Sequence, residues 1–207
     1  MQQIYNVVIR HPASASCLVV TLVSLFLFAT SAPVISASPR TAANQPAYPV
    51  YGNGPVEVCL YTDYFCPPCR AIKASVDPLV RKLVELNRIR VVFVDVPLSK
   101  QSIEYAKEYL RCLHAYDNNL DTAITLKAHF NYAAENGRSI EAYLDTAGIV
   151  RTQERNSCVS TIFSFYNIKI KEDRVRATPT CVIAGENGFK ESYTGGKAIV
   201  AALQRLF

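Results

Sequence analysis

A strand, a cysteine pair and a helix follow one another without a gap where the folded region begins, and few architectures accept that order. Val56-Glu57-Val58-Cys59-Leu60-Tyr61-Thr62 is β-rich, is bounded by Pro55 and Asp63, and leads into Cys66-Pro67-Pro68-Cys69. Ile72, Val76, Leu79, Val80, Leu83 and Leu86 then recur at helical spacing as far as Asn87, with Pro78 an expected kink. Next, Ile89-Arg90-Val91-Val92-Phe93-Val94-Asp95-Val96 is a near-continuous apolar run closed by Pro97, the pattern of a strand buried on both faces. Strand, helix, strand predicts a parallel crossover unit and therefore an α/β fold.

Residues 99–174 change character. Ile103, Ala106, Leu110 and Leu113 form one helical stripe; Leu120, Ala123, Ile124 and Ala128 start a second that ends before Gly137. Ile140, Tyr143 and Leu144 mark a third between Ser139 and Gly148, and a fourth helix is expected from Thr152 to about Glu172. The chain then returns to β/α sequence. Thr180 to Ala184 reads as a strand, Glu186-Asn187-Gly188 as a turn, and Phe189 to Tyr193 as a second strand. Gly195-Gly196 opens a last helix carrying Ile199, Val200, Leu203 and Leu206.

The amino-terminal stretch has a different origin. Residues 1–37 carry one charge, Arg10, and an apolar run from Cys17 to Ala29, followed by small residues with cleavage points after Ser31 or Ala37. That run is too short for a transmembrane helix of ~20 residues and suits the core of a secretory signal peptide, with an uncleaved membrane anchor as the alternative. Residues 38–55, rich in Pro, Ala, Gly and Asn, read as a loose leader. Without residues 1–37 the chain keeps 21 Lys and Arg against 17 Asp and Glu, scattered among one another, so no nucleic acid partner is indicated. Export would place the six remaining cysteines where disulfides form and exchange.

With seven cysteines in 207 residues, chance yields about 0.2 CxxC pairs per chain, so the spacing carries weight only in context. Here a strand runs up to Cys66 and a helix opens at Pro67, whose missing N–H costs nothing in a first turn. Cys66 is thereby expected at a helix amino terminus, where unpaired backbone donors and the helix dipole favour a thiolate that attacks a disulfide or leaves one. Cys69, one turn further in, is the expected resolving thiol. Ala177-Thr178-Pro179-Thr180, running into Cys181-Val182-Ile183, would complete the site: a cis bond between Thr178 and Pro179 would offer the Thr178 backbone to an extended substrate.

Asp63, Tyr64 and Phe65 ahead of Cys66-Pro67-Pro68-Cys69, the Thr178-Pro179-Thr180 strand start, and the helical block between them resemble the DsbA-type periplasmic thiol-disulfide oxidoreductases. The resemblance spans about residues 55–207 and implies a thioredoxin fold with an inserted α-helical domain: residues 56–98 and 175–207 form the thioredoxin-like part and 99–174 the insertion. It also implies Cys66 as nucleophile, Cys69 as resolving cysteine, Thr178 and Pro179 binding substrate backbone with Pro67 and Pro68 alongside, and no cofactor beyond the Cys66–Cys69 disulfide. Partners would be folding exported proteins and a membrane redox partner, and the location the periplasm. Two departures matter. The family's buried acid six residues before the first cysteine is Leu60 here, so its expected aid to proton movement at Cys69 is missing and that step is left to water; Pro67-Pro68 supplies neither an imidazole nor an N–H, so a less acidic Cys66 and a milder oxidant are expected. Threonine before the proline also resembles the DsbC and DsbG isomerases, which dimerise through an amino-terminal domain that residues 38–55 cannot form; a monomer is expected.

Cys112 and Cys158 both lie in the helical block, and a structural disulfide between them is set against two buried thiols. Cys59 and Cys181, on strands expected side by side, read as apolar filler. His114 and His129 lack ligand spacing toward the CxxC, so no metal site is expected. Tyr105, Tyr109 and Tyr116 read as packing between the helical block and the core. The competing functions are a reductase or isomerase kept reduced, and a chaperone-like module that binds chains without turnover.

Overall fold

The apolar run before the cysteine pair becomes β1 (Val56–Thr62), and the run after the first helix becomes β2 (Ile89–Asp95), parallel to it with Leu60 opposite Phe93 and Thr62 opposite Asp95. The computed structural model describes residues 48–116, 119–152 and 156–207; the expected signal segment 1–37, with Cys17, and the expected leader through residue 47 lie outside the described residues. β3 (Thr180–Ala184) runs antiparallel to β1 on its other side, and β4 (Lys190–Thr194) pairs antiparallel with β3, giving the order β2-β1-β3-β4. The turn between β3 and β4 closes at the expected Asn187-Gly188, where the Asn187 carboxamide accepts from the Phe189 amide.

β2 lies at the edge of this sheet, yet its residues are buried as the sequence predicts. The leader, expected to be loose, explains this from Tyr48 onward. Tyr51 exchanges two backbone hydrogen bonds with Val91, at 2.9 and 2.8 Å, and covers the edge that would otherwise template another strand. Tyr48 stacks on Phe165 with ring centroids 3.7 Å apart. Gly54 allows the close approach: a Cβ there would stand 2.2 Å from the Ile89 nitrogen.

The helices follow the predicted order: α1 (Pro67–Glu85), α2 (Lys100–Ala115), α3 (Leu120–Glu135), α4 (Ile140–Ala147), α5 (Asn156–Glu172) and α6 (Gly196–Gln204). α1 continues through Pro78 as one helix. Ser99 and Asn119 cap α2 and α3 by accepting from Ser102 and Thr122 amides, and Gly148 ends α4 in the left-handed conformation at φ +66°. Two expectations need correction. Thr152 precedes α5 rather than starting it, with its amide and hydroxyl both donating to the Arg111 carbonyl. In α3, Ala128 is exposed and Lys127 takes the place on the buried stripe, in phase with Ala123, Phe130 and Ala134.

The sheet and the helical block share one hydrophobic core. Tyr64, from the loop after β1, lies with its ring 5.6 Å from Phe130 of α3 and 5.9 Å from Tyr105 of α2, while Tyr109 meets Phe130 edge-on at 5.8 Å. Tyr105 and Tyr109 thus pack between the two parts, whereas Tyr116 is exposed.

Candidate active site

The loop from β1 to α1 is shaped by one buried carboxylate. Asp63 Oδ1 accepts from the Phe65 amide at 2.7 Å, Oδ2 accepts from the Leu98 amide at 3.2 Å, and the Asp63 carbonyl accepts from the Cys66 amide at 3.3 Å. This is an Asx turn that also ties down the segment after β2. An aspartate two residues before the Phe65 amide, at a strand end, is the signal that could have identified it.

The turn delivers Cys66 to the N-cap of α1 with extended backbone, φ −82° and ψ 108°. Pro67 and Pro68 fill the first two helical positions without an N–H, so the first amide of the helix able to reach the sulfur is that of Cys69, which donates to Cys66 Sγ at 3.3 Å and to the Cys66 carbonyl at 3.0 Å. On the other side, the peptide bond between Thr178 and Pro179 is cis, and the Cys66 thiol donates to the Thr178 carbonyl at 3.4 Å. Residues 112 positions apart in sequence therefore meet at one sulfur.

Cys66 is the outer and Cys69 the inner thiol, with Pro67 and Pro68 exposed beside them. Burial pushes the Cys69 thiol up to about 12, helped by its hydrogen bond with Cys66. Leu60 is buried and lines, with Cys69, Phe93 and Lys127, a cavity behind the cysteine pair. Chemically the arrangement offers a nucleophilic or leaving sulfur at a helix start, a second sulfur one turn behind it, and a backbone carbonyl beside the first.

The other cysteines stand apart from this site. Cys112 and Cys158 are free thiols in this structure, Cys112 fully buried on α2 and Cys158 half-buried with Sγ 3.2 Å from His114 Nε2. Cys59 faces Val182 and Cys181 faces Leu60 across the β1–β3 ladder, and both are free and buried. Among the described residues no group of three or more His, Cys, Asp and Glu could hold a metal ion.

Burial pushes the Cys59, Cys112 and Cys181 thiols, like that of Cys69, up to about 12, against about 8.5 in an unfolded chain. A raised value means the folded state holds its proton after the unfolded chain has lost one. The stability from these thiols is complete below about pH 8.5 and is lost as pH rises toward 12. Thermal unfolding of the reduced protein should therefore show Tm falling from pH 8 to 11, with a shallower fall when Cys59 and Cys181 are both replaced by alanine.

Comparison with known proteins gives the same architecture. The family model described as "Thioredoxin" matches residues 45–201. No curated protein sequence matches significantly. Among solved structures, α-DsbA1 of Wolbachia pipientis is similar with a TM-score of 0.60 at 13% identity, covering 79% of this chain and 92% of that one. Pseudomonas aeruginosa DsbA2 gives 0.55 at 17% identity, covering 79% and 97%. The thiol-disulfide exchange protein α-DsbA2 of Wolbachia pipientis gives 0.56 at 20% identity, covering 77% and 85%. At these identities the likeness is one of fold, thioredoxin-like with helices inserted between β2 and β3. With the family model matching most of its length, the chain belongs to the thioredoxin family and has the fold of the DsbA proteins.

Proposed function

We propose that the chain is an exported thiol-disulfide oxidoreductase that passes its Cys66–Cys69 disulfide to proteins folding outside the cytoplasm, acting as a mild oxidase. The observation that carries this reading is the sulfur of Cys66 at the start of α1, 3.4 Å from the carbonyl that precedes cis-Pro179, with Cys69 buried one turn behind. A substrate thiolate attacks Cys66, Cys69 leaves, and a second substrate thiolate releases the new disulfide. Thr178 supplies backbone for an extended substrate segment, and Pro67 and Pro68 flank the attacked sulfur. Mildness is supported by the two prolines, which leave a single nearby amide directed at Cys66 Sγ.

Export is supported by the apolar run from Cys17 to Ala29 and by the fold's occurrence in a periplasmic thioredoxin-like protein of Salmonella enterica. Folding exported proteins and a membrane partner that reoxidises the pair complete the cycle; the protein acts as a monomer. Thiol trapping of the protein in its own cells tests the direction of exchange. The Cys66–Cys69 pair should be recovered mostly oxidised; recovery mostly as free thiols would overturn the oxidase and favour a reductase or isomerase.

A further inference from the structure

Behind the cysteine pair lies a buried ion pair that the exchange chemistry above does not use. Lys127 of α3 and Asp95 at the end of β2 are both almost wholly buried, with Lys127 Nζ 2.6 Å from Asp95 Oδ1. Tyr64 joins them: its hydroxyl donates to Asp95 Oδ2 at 3.3 Å and accepts from Lys127 Nζ at 3.2 Å. The aromatic rings of Tyr64 and Tyr109 lie 4.9 and 4.5 Å from the same ammonium. Lys127, but not Asp95, also lines the cavity that Cys69 lines. That cavity, of about 30 Å³, has room for water.

Cys69 has a proton to move in either direction of exchange. As the resolving group it must give one up, and as the leaving group it must take one back. The charged neighbours of the cavity offer few places to put it. Asp63 is committed, since each of its oxygens accepts from a backbone amide. Lys73 and Asp77 of α1 pair with each other at 2.9 Å with side chains 22% and 19% exposed, against 4% and 3% for Lys127 and Asp95, so a proton placed there is shared with solvent rather than held behind Cys69. Tyr109 and Tyr166, on α2 and α5, are neutral phenols that burial holds in the protonated form. The Lys127–Asp95 pair remains.

We propose that Lys127, carried into the core by the inserted helices, and Asp95 form the proton relay of Cys69. In the resolving direction the Cys69 thiol passes its proton through cavity water to Lys127, which passes one to Asp95, so that an ammonium facing a carboxylate becomes an ammonium facing a carboxylic acid. The Cys69 thiolate forms the bond to Cys66 Sγ as the bond from Cys66 to the partner's sulfur breaks. The partner leaves as a thiolate and takes a proton from solvent, and the relay returns its extra proton to water. The cysteine pair is oxidised and the partner disulfide reduced; the oxidase direction runs the same steps backward. Buried negative charge on Cys69 is thus created only together with buried positive charge beside it, so the net charge of the cavity does not change.

The inference rests on the proposed exchange chemistry, and one experiment separates the two. Reduced protein is mixed by stopped flow with increasing oxidised glutathione. The slope at low concentration reports attack by Cys66, and the first-order plateau at high concentration reports attack by Cys69. In the unmodified protein the plateau should change by less than about threefold between pH 6 and 8, because the proton stays inside; in Asp95→Asn/Lys127→Met it should rise by about tenfold per pH unit. The low-concentration slope should match in the two proteins, which a general loosening of the fold would not preserve. A shallow plateau profile in the double variant overturns the relay, and so does a tenfold rise per unit in the unmodified protein, a measurement that needs no variant. No reaction of the unmodified protein with oxidised glutathione would overturn the exchange function itself, and the relay with it.

Discussion

Cys66→Ser is expected to lower insulin-reduction activity by about 10³-fold or more, to the uncatalysed background, while leaving Tm unchanged or slightly raised. The two halves of that expectation come from one position. Cys66 is the N-cap of α1, and serine is among the best N-cap residues, so the Cys69 amide keeps an acceptor and the Thr178 carbonyl keeps a donor. What disappears is the sulfur, and among the described residues no neighbour replaces it: Cys59, Cys69, Cys112 and Cys181 are at most 2% exposed against 7% for Cys66, and half-buried Cys158 lies beside His114 in the helical block. Cys69→Ser should instead hold partners on Cys66 as mixed disulfides, visible as adducts on non-reducing gels, because the group that resolves them is gone. Survival of insulin reduction and of function in cells after Cys66→Ser would remove the oxidoreductase reading and leave a module that binds chains without turnover.

The elements that carry this site were legible in the sequence for definite reasons. β1, α1 and β2 announce themselves because their apolar residues recur with one period each and Pro55, Pro67 and Pro97 punctuate them. Cys66 and Thr178-Pro179 could be named because helix start and strand start are local properties, and the fold brings both to one place. The relay could not be seen this way. Lys127 lies between apolar Leu126 and Ala128, and an amphipathic reading assigns alanine to the core and lysine to solvent; the structure reverses both. Its carboxylate partner sits in another element, 32 residues earlier, as the last residue of β2. Only the spacing of Lys127 between Ala123, Phe130 and Ala134 hinted at burial. Tyr51 escaped notice similarly, because covering a sheet edge is a property of the edge and not of the residue that covers it.

Removing one member of the buried pair should destabilise the protein strongly, and the two single variants should respond to pH with opposite signs. Lys127→Met leaves Asp95 facing Tyr64 alone, and Asp95→Asn leaves the Lys127 ammonium without its carboxylate; each is expected to cost about 3–5 kcal/mol at neutral pH, out of a total of roughly 5–15. Asp95→Asn/Lys127→Met buries neither charge and should be more stable than either single variant, which a double-mutant cycle would report as strong coupling. Burial already pushes the Asp95 carboxyl above its usual range and the Lys127 ammonium below its own, even with each facing the other. Once Lys127 is gone, Asp95 in the folded state holds a proton at pH values where the unfolded chain, with a value near 3.9, has lost it. Lys127→Met should therefore be least destabilised in acid and lose stability as pH rises from about 4 through the raised value. In Asp95→Asn the buried lysine sheds its proton below the unfolded value near 10.4, so the unfolded chain binds more protons and stability should rise with pH up to about 10. Urea unfolding of the two variants from pH 5 to 8, each measured against the double variant, should give slopes of opposite sign; slopes of the same sign would mean that Asp95 and Lys127 do not confront each other in the core.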